Sequence, residues 1–245
     1  MSVAVLVKRR LAPLAKTVAP GLVLAAQVER LGESNPEVQL VRSLCDPDRV
    51  SLDMGAAAAG EFTIAMLAAS RLVIAFEPQP TQTRALAAMF DAVGSTVRVE
   101  AVALSDRPGV TKMRVLESDP GRSTIDSDNA LNDADGSRVG TIEVQVRWLD
   151  DLQLDDVGSR STSRATNSPC CVALPTRSCA TGRRFFIEAE ERHHRHAAAA
   201  TTEFLAGLDY KGVPLCLSRG LRGLIVTFVL VALFVGDHGA PELVG

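Results

Sequence analysis

Hydrophobic and polar positions change period several times along these 245 residues. Residues 1–48 place apolar side chains at helical spacing, with breaks at Ala19-Pro20-Gly21 and near Ser34-Asn35-Pro36. A helix is expected over 37–44, where Val38, Leu40, Val41 and Leu44 are apolar. A short β-like stretch over 49–53 then ends in a loop of Gly and Ala. Residues 61–71 put Phe62, Ile64, Ala65, Leu67 and Ala68 at helical spacing, and 72–76 is a continuous apolar run, as in a strand covered on both faces. A second helical pattern covers 81–93, and 97–104 is a further strand candidate. This β-α-β-α-β alternation argues for an α/β fold with a largely parallel sheet.

Residues 110–116 and 142–148 alternate apolar and polar, which predicts half-exposed, antiparallel strands. The polar loop between them, 119–138, is rich in Asp, Ser, Asn and Gly; a loop of that length inside a domain usually carries function or moves. Residues 159–184 break the pattern, with no apolar period and no acidic side chain. The organisation expected is an N-terminal helical segment over 1–48, a domain over 49–220 with 159–184 irregular, and an apolar tail over 221–245. The run LIVTFVLVALFV at 224–235 covers only about 18 Å as a helix, against about 30 Å of hydrocarbon. Its Val, Ile, Thr and Phe favour a strand, so membrane contact there is not the favoured reading.

Composition narrows the function. Net charge is −3 and aromatics are 4%, so neither a phosphate-binding basic face nor a stacking platform is evident, and no nucleic-acid partner is expected. Near the N-terminus, Lys8, Arg9 and Arg10 follow the apolar stretch rather than precede it, which points to a cytoplasmic chain and not an export signal. The five cysteines fit no paired zinc spacing and are expected to stay reduced.

Three strand ends carry candidate chemistry. The first strand ends in Asp53 and runs into Gly55-Ala56-Ala57-Ala58-Ala59-Gly60, where small residues let a helix N-terminus approach a ligand. The second ends at Glu77-Pro78; a carboxylate about 20 residues on suits ribose hydroxyls. The third ends in Ala103-Leu104-Ser105-Asp106, small enough to floor an adenine ring. Glu188, Glu190, Glu191, His193, His194 and His196 could share a helical face, but read better as a solvated strand-to-helix junction than as a metal site; no metal is expected.

Together SLDMGAAAAGEFTIAMLA, VIAFEPQP, VEAVALSDRPG, GRSTI at 121–125 and VQVRWLDDL at 144–152 resemble the FkbM-type family of S-adenosylmethionine-dependent methyltransferases, over residues 36–158. The resemblance implies a Rossmann-like class I methyltransferase fold, a mostly parallel sheet with helices on both faces, disrupted after about residue 158. It implies S-adenosylmethionine as cofactor, with Asp53, Gly55 and Gly60 around its methionine part, Glu77 on its ribose, and Ala103, Ser105 and Asp106 near adenine. It further implies a small-molecule or glycolipid acceptor, O-methylated at a hydroxyl of a sugar, glycolipid or natural product. The glycine loop is one residue longer than the family's GANxG and lacks its Asn. The family's next strand, an IKIDVEG-type segment with two carboxylates, is missing from its place after Gly158. If translation is moved back by one base, synonymous codons for residues 159–174 can spell IKIDVEGHELAVLRGA, so 159–184 reads as a frame-shifted strand and helix. Two rival readings share the same features. A nicotinamide-dependent oxidoreductase lacks support from the glycines, which stand five apart rather than as GxGxxG. A catalytically dead remnant or interaction protein would keep the cofactor half alone.

Overall fold

The computed structural model describes residues 36–105, 108–127, 131, 138–152, 162–166, 184–190, 210–218, 228–236 and a few positions between 199 and 207. Helix α1 (Pro36–Leu44) opens on a proline, whose missing N–H would have been unpaired in a first turn anyway. It carries Glu37 in the first turn and Arg42 in the last, the signs its dipole favours. Its buried stripe, Val38, Val41 and Leu44, packs on Phe62, Ala65 and Met66 of α2 (Glu61–Leu67). Between these helices runs β1 (Val50–Met54), buried at all five positions. Next come β2 (Leu72–Phe76), α3 (Pro80–Ala92) and β3 (Arg98–Glu100). α3 also begins on proline, and it buries Leu86 and Phe90 against Ile64 and Ala75.

β1 and β2 pair in parallel from Val50↔Leu72 to Met54↔Phe76. Paired positions share a face, so Ser51, Asp53, Val73 and Ala75 face the α2 side. On the opposite face Val50, Leu52, Met54, Ile74 and Phe76 are each at most 3% exposed, so both faces of this part of the sheet are covered. That two-sided burial explains why these strands read as unbroken apolar runs.

The sheet continues with β7 (Thr162–Thr166), β8 (Arg184–Glu190), β9 (Tyr210–Ser218) and β10 (Phe228–Gly236), in the order β3-β2-β1-β7-β8-β10-β9. β7 is parallel to β1, with Asp53 opposite Arg164, and β8 is parallel to β7. β10 runs antiparallel to both its neighbours. A dinucleotide-binding sheet is parallel in the order 3-2-1-4-5-6; the reversed strand inserted before the last one sets this sheet apart from it. A second sheet, in the order β4-β6-β5, joins β4 (Ala103–Leu104) and β5 (Gly109–Leu116) to β6 (Val139–Arg147); β5 and β6 are antiparallel, as their alternation predicts.

Several expectations change. The strand anticipated over 97–104 is two strands in two sheets, because the chain leaves β2's edge after Glu100 and pairs again only at Ala103, with β6. Irregular structure was expected over 159–184, yet 162–166 form β7 beside β1. The apolar 224–235 run lies largely in β10, between β8 and β9, so the sheet extends past residue 220 to Gly236. Among the described residues no helix is long and apolar enough to cross a membrane. Residues 1–35, Asp106 and the 191–196 part of the Glu/His cluster lie outside the described residues.

Candidate functional site

β1 and β2 end side by side, and the loop that follows β1 is stitched to β2's exit. The N–H groups of Gly55 and Ala56 both donate to the Phe76 carbonyl, at 2.9 and 3.1 Å. Ala57 donates its N–H to Glu77 Oε2 at 2.9 Å, and Ala58 donates to Gln82 Oε1 at 2.8 Å. To meet these partners the backbone turns left-handed at Gly55 (φ 83°), Ala57 (φ 55°) and Gly60 (φ 56°). Glycine adopts that region freely; alanine does so at a cost of about 1–2 kcal/mol. The loop from Gly55 to Gly60 thus holds one strained residue, Ala57, whose N–H is fixed by Glu77.

Glu77 is 3% exposed. Its second oxygen, Oε1, accepts the Gln79 N–H at 2.9 Å, and its own N–H donates to the Glu100 carbonyl at 3.0 Å. Burial pushes its pKa above the ordinary 4.5; the Gln79 and Ala57 N–H groups pull the other way, and Asp53 adds to the rise. A carboxylate offers about four lone-pair sites, so two remain for a ligand once the backbone donors are served.

Glu77 lines a cleft that encloses about 730 Å³ of empty space, the solvent at its mouth included. Gly55 and Ala57 line it from the β1 side, Val102, Ala103 and Leu104 from beyond β3, and Met113 from β5. A further wall is Pro120, Gly121 and Ser123 to Asp126, from the described start of the long polar loop. Gln79 Nε2 donates to the Pro120 carbonyl at 2.8 Å, and Arg114 and Thr124 exchange backbone bonds at 2.8 and 2.9 Å. Arg114 Nη2 also reaches the Asp126 carbonyl at 2.7 Å.

The candidates read from sequence therefore separate. Gly55, Glu77 and Ala103 come together on the cleft. Asp53, fully buried, accepts the Thr63 hydroxyl at 2.5 Å beneath the loop, and does not line the cleft. Nor does Gly60, where a Cβ would stand 2.6 Å from Leu86 Cδ1; its role is to let α2 begin against α3. Ser105, 8% exposed, donates its N–H to Arg147 O at 3.2 Å and also lies off the cleft. Gln79, Gln82 and Ser123 were not singled out as site residues; Gln79 and Ser123 stand within the VIAFEPQP and GRSTI stretches, but their places in the site depend on tertiary contacts.

No protein-family model matches the chain, and no curated protein matches it. Solved structures do. The methyltransferase FkbM of Methylobacillus flagellatus KT aligns over 78% of this chain and 44% of its own, with 14% identity and a TM-score of 0.50. The chain thus spans less than half of that protein. An rRNA methylase from Streptococcus thermophilus aligns over 82% of this chain and 95% of its own, with 11% identity and a TM-score of 0.48. A Streptococcus mutans protein described as a methyltransferase, solved in complex with SAH, aligns over 81% of this chain and 94% of its own, with 9% identity and a TM-score of 0.47. The fold is the Rossmann-like fold of the methyltransferases, an α/β sheet with parallel strands and helices. One expectation is corrected by these matches. Net charge and low aromatic content were taken to argue against a nucleic-acid partner, but the matched structures include an rRNA methylase. A balance of −3 does not carry that argument.

Proposed function

We propose that the chain is an S-adenosylmethionine-dependent methyltransferase of the FkbM type, impaired as written, whose intact form transfers a methyl group to a hydroxyl of a sugar, glycolipid or natural product. The observation that carries the cofactor half is Glu77. It is a buried carboxylate at the end of β2, oriented by two backbone donors and lining the cleft with two acceptor sites to spare. Such a group matches a ribose diol. Gly55 and Ala57 present backbone at the β1 end, and Ala103 with Leu104 offers an apolar surface for adenine. When bound, the cofactor supplies an electrophilic methyl group on its sulfonium. The chain's part is to hold the nucleoside, keep Glu77 ionised against the cost of its burial, and bring an acceptor oxygen into line. Asp53 acts in this reading from below, through Thr63 and the loop, rather than by touching the ligand.

Calorimetry with S-adenosylhomocysteine tests the reading. A hydrogen bond to a charged group contributes about 1.5–3 kcal/mol, so Glu77→Ala should weaken binding about tenfold or more. Unchanged affinity in a folded variant removes Glu77 from the role, and NAD binding in place of S-adenosylhomocysteine moves the chain to the oxidoreductases.

Methyl transfer itself depends on β7. We infer that 159–184 is a frame-shifted reading of the family's missing strand and helix, and that turnover by the chain as written is weak or absent. Support comes from the backbone: 162–166 form a strand beside β1, in the place where the shifted reading puts DVEGH. The nucleotide sequence decides it. Codons able to spell the shifted segment sustain the inference, and codons that cannot do so end it, as would robust turnover by the written chain.

A further inference from the structure

We propose that Ser123 recognises the purine of the bound nucleoside, its hydroxyl meeting a polar atom on the edge of the base; this rests on the cofactor reading above. Ser123 Oγ is buried and has no hydrogen-bond partner among the described residues. Folded proteins rarely leave a buried hydroxyl unpaired, because its lost hydration is not repaid. Ser123 is also a wall residue of the cleft that contains Glu77, so turning its hydroxyl into the cleft gives it a partner on a ligand held there.

The surroundings choose the base over the other parts of the ligand. Two residues along, Ile125 packs on the apolar cluster of Ala103 and Met113, and all three line the cleft. A planar apolar ring with polar atoms on its rim fits a surface of this kind with a single hydroxyl at its edge. A serine hydroxyl both donates and accepts, so it can serve a ring nitrogen or the exocyclic amine.

Ser123 is also held in place. On one side Gln79 Nε2 grips Pro120, and on the other Thr124 is paired to Arg114 in both directions. Gln79 is itself the residue whose N–H orients Glu77. The two ends of the proposed nucleoside site, ribose carboxylate and base hydroxyl, are therefore tied through one residue, Gln79, by its backbone N–H on one side and its side chain on the other.

The test is calorimetry of the full chain with S-adenosylhomocysteine and with adenosine, which lacks the amino-acid half, together with the ligand-free thermal midpoint. Ser123→Ala should weaken both ligands by a similar factor, about five- to thirtyfold, as loss of one hydrogen bond would. Its ligand-free midpoint should be unchanged or higher, since no protein partner is lost. Equal affinity in wild type and variant overturns the assignment. So does a loss seen with S-adenosylhomocysteine but not adenosine, or a lowered ligand-free midpoint. Failure of the wild type to bind either ligand sinks the cofactor reading itself; binding by the wild type with an indifferent variant sinks only Ser123.

Discussion

The strand pairs β1–β2 and β5–β6 differ in what surrounds them. In β1 and β2 nine of ten positions are buried, whereas in β5 and β6 only Met113, Leu116, Val144 and Val146 are. The first pair is parallel and covered on both faces, so side chains of either parity must be apolar or bonded. Its two polar residues comply: Ser51 shares a 2.7 Å hydrogen bond with Ser70, and Asp53 accepts from Thr63. The second pair is antiparallel with one face open, and it leaves Val110 59% exposed and Val139 42% exposed. The lesson is where function settles. A strand buried on both faces can present chemistry only at its end, and Gly55 and Glu77 stand directly after β1 and β2. A half-open sheet presents a face, and here it lends the cleft a wall through Met113.

The widest separation between the two regions should come from truncating an apolar side chain in each. Phe90 is 1% exposed in the layer over β2, and Phe90→Ala should cost about 3–5 kcal/mol in urea unfolding. Val110→Ala on the open sheet should change stability by about 0.5 kcal/mol or less. Comparable losses would break the contrast. Next in size is Gly60→Ala, which sets a Cβ 2.6 Å from Leu86 Cδ1 at a left-handed position. Strain and overpacking together should cost about 2–4 kcal/mol in the same assay.

Glu77 sharpens the comparison through pH. Burial disfavours its ionised form, so the folded chain binds this proton more tightly than the unfolded chain does. Its contribution to stability is thus fully present below the ordinary 4.5 and is lost as pH rises through the raised pKa. On the proposed cofactor reading ligand affinity runs the other way, because the ribose diol is to be held by the ionised carboxylate. Acidification from neutrality should weaken S-adenosylhomocysteine binding before an ordinary glutamate would titrate, and Glu77→Gln should flatten both profiles. Parallel pH profiles in wild type and Glu77→Gln would contradict this. The smallest effect is expected at Ala57, whose left-handed backbone glycine relieves. After the extra entropy of a glycine is charged against it, Ala57→Gly should stabilise the ligand-free chain by about 0.5–1 kcal/mol. A lower melting midpoint in that variant would show that the loop is not strained there.

The order β1-α2-β2-α3 and the place of its strand ends could be read along the chain, because burial on both faces writes unbroken apolar runs and the helices between them keep a helical apolar period. The sequence also marked Glu77, a lone acid closing such a run. Tertiary structure alone decided the rest. Whether 97–104 was one strand or two depended on which partner each part met, β2 for Arg98–Glu100 and β6 for Ala103–Leu104. Asp53 and Gly60 share a motif with Gly55, yet only Gly55 reaches the cleft, since strand parity turns Asp53 toward Thr63 and α3 stands over Gly60. Ser123 stands inside the GRSTI stretch, but nothing local assigns its hydroxyl a part. Its importance lies in a hydroxyl left unpaired by a wall that Gln79 and Arg114 hold in place, and hydrogen bonds between segments so far apart have no period in a sequence.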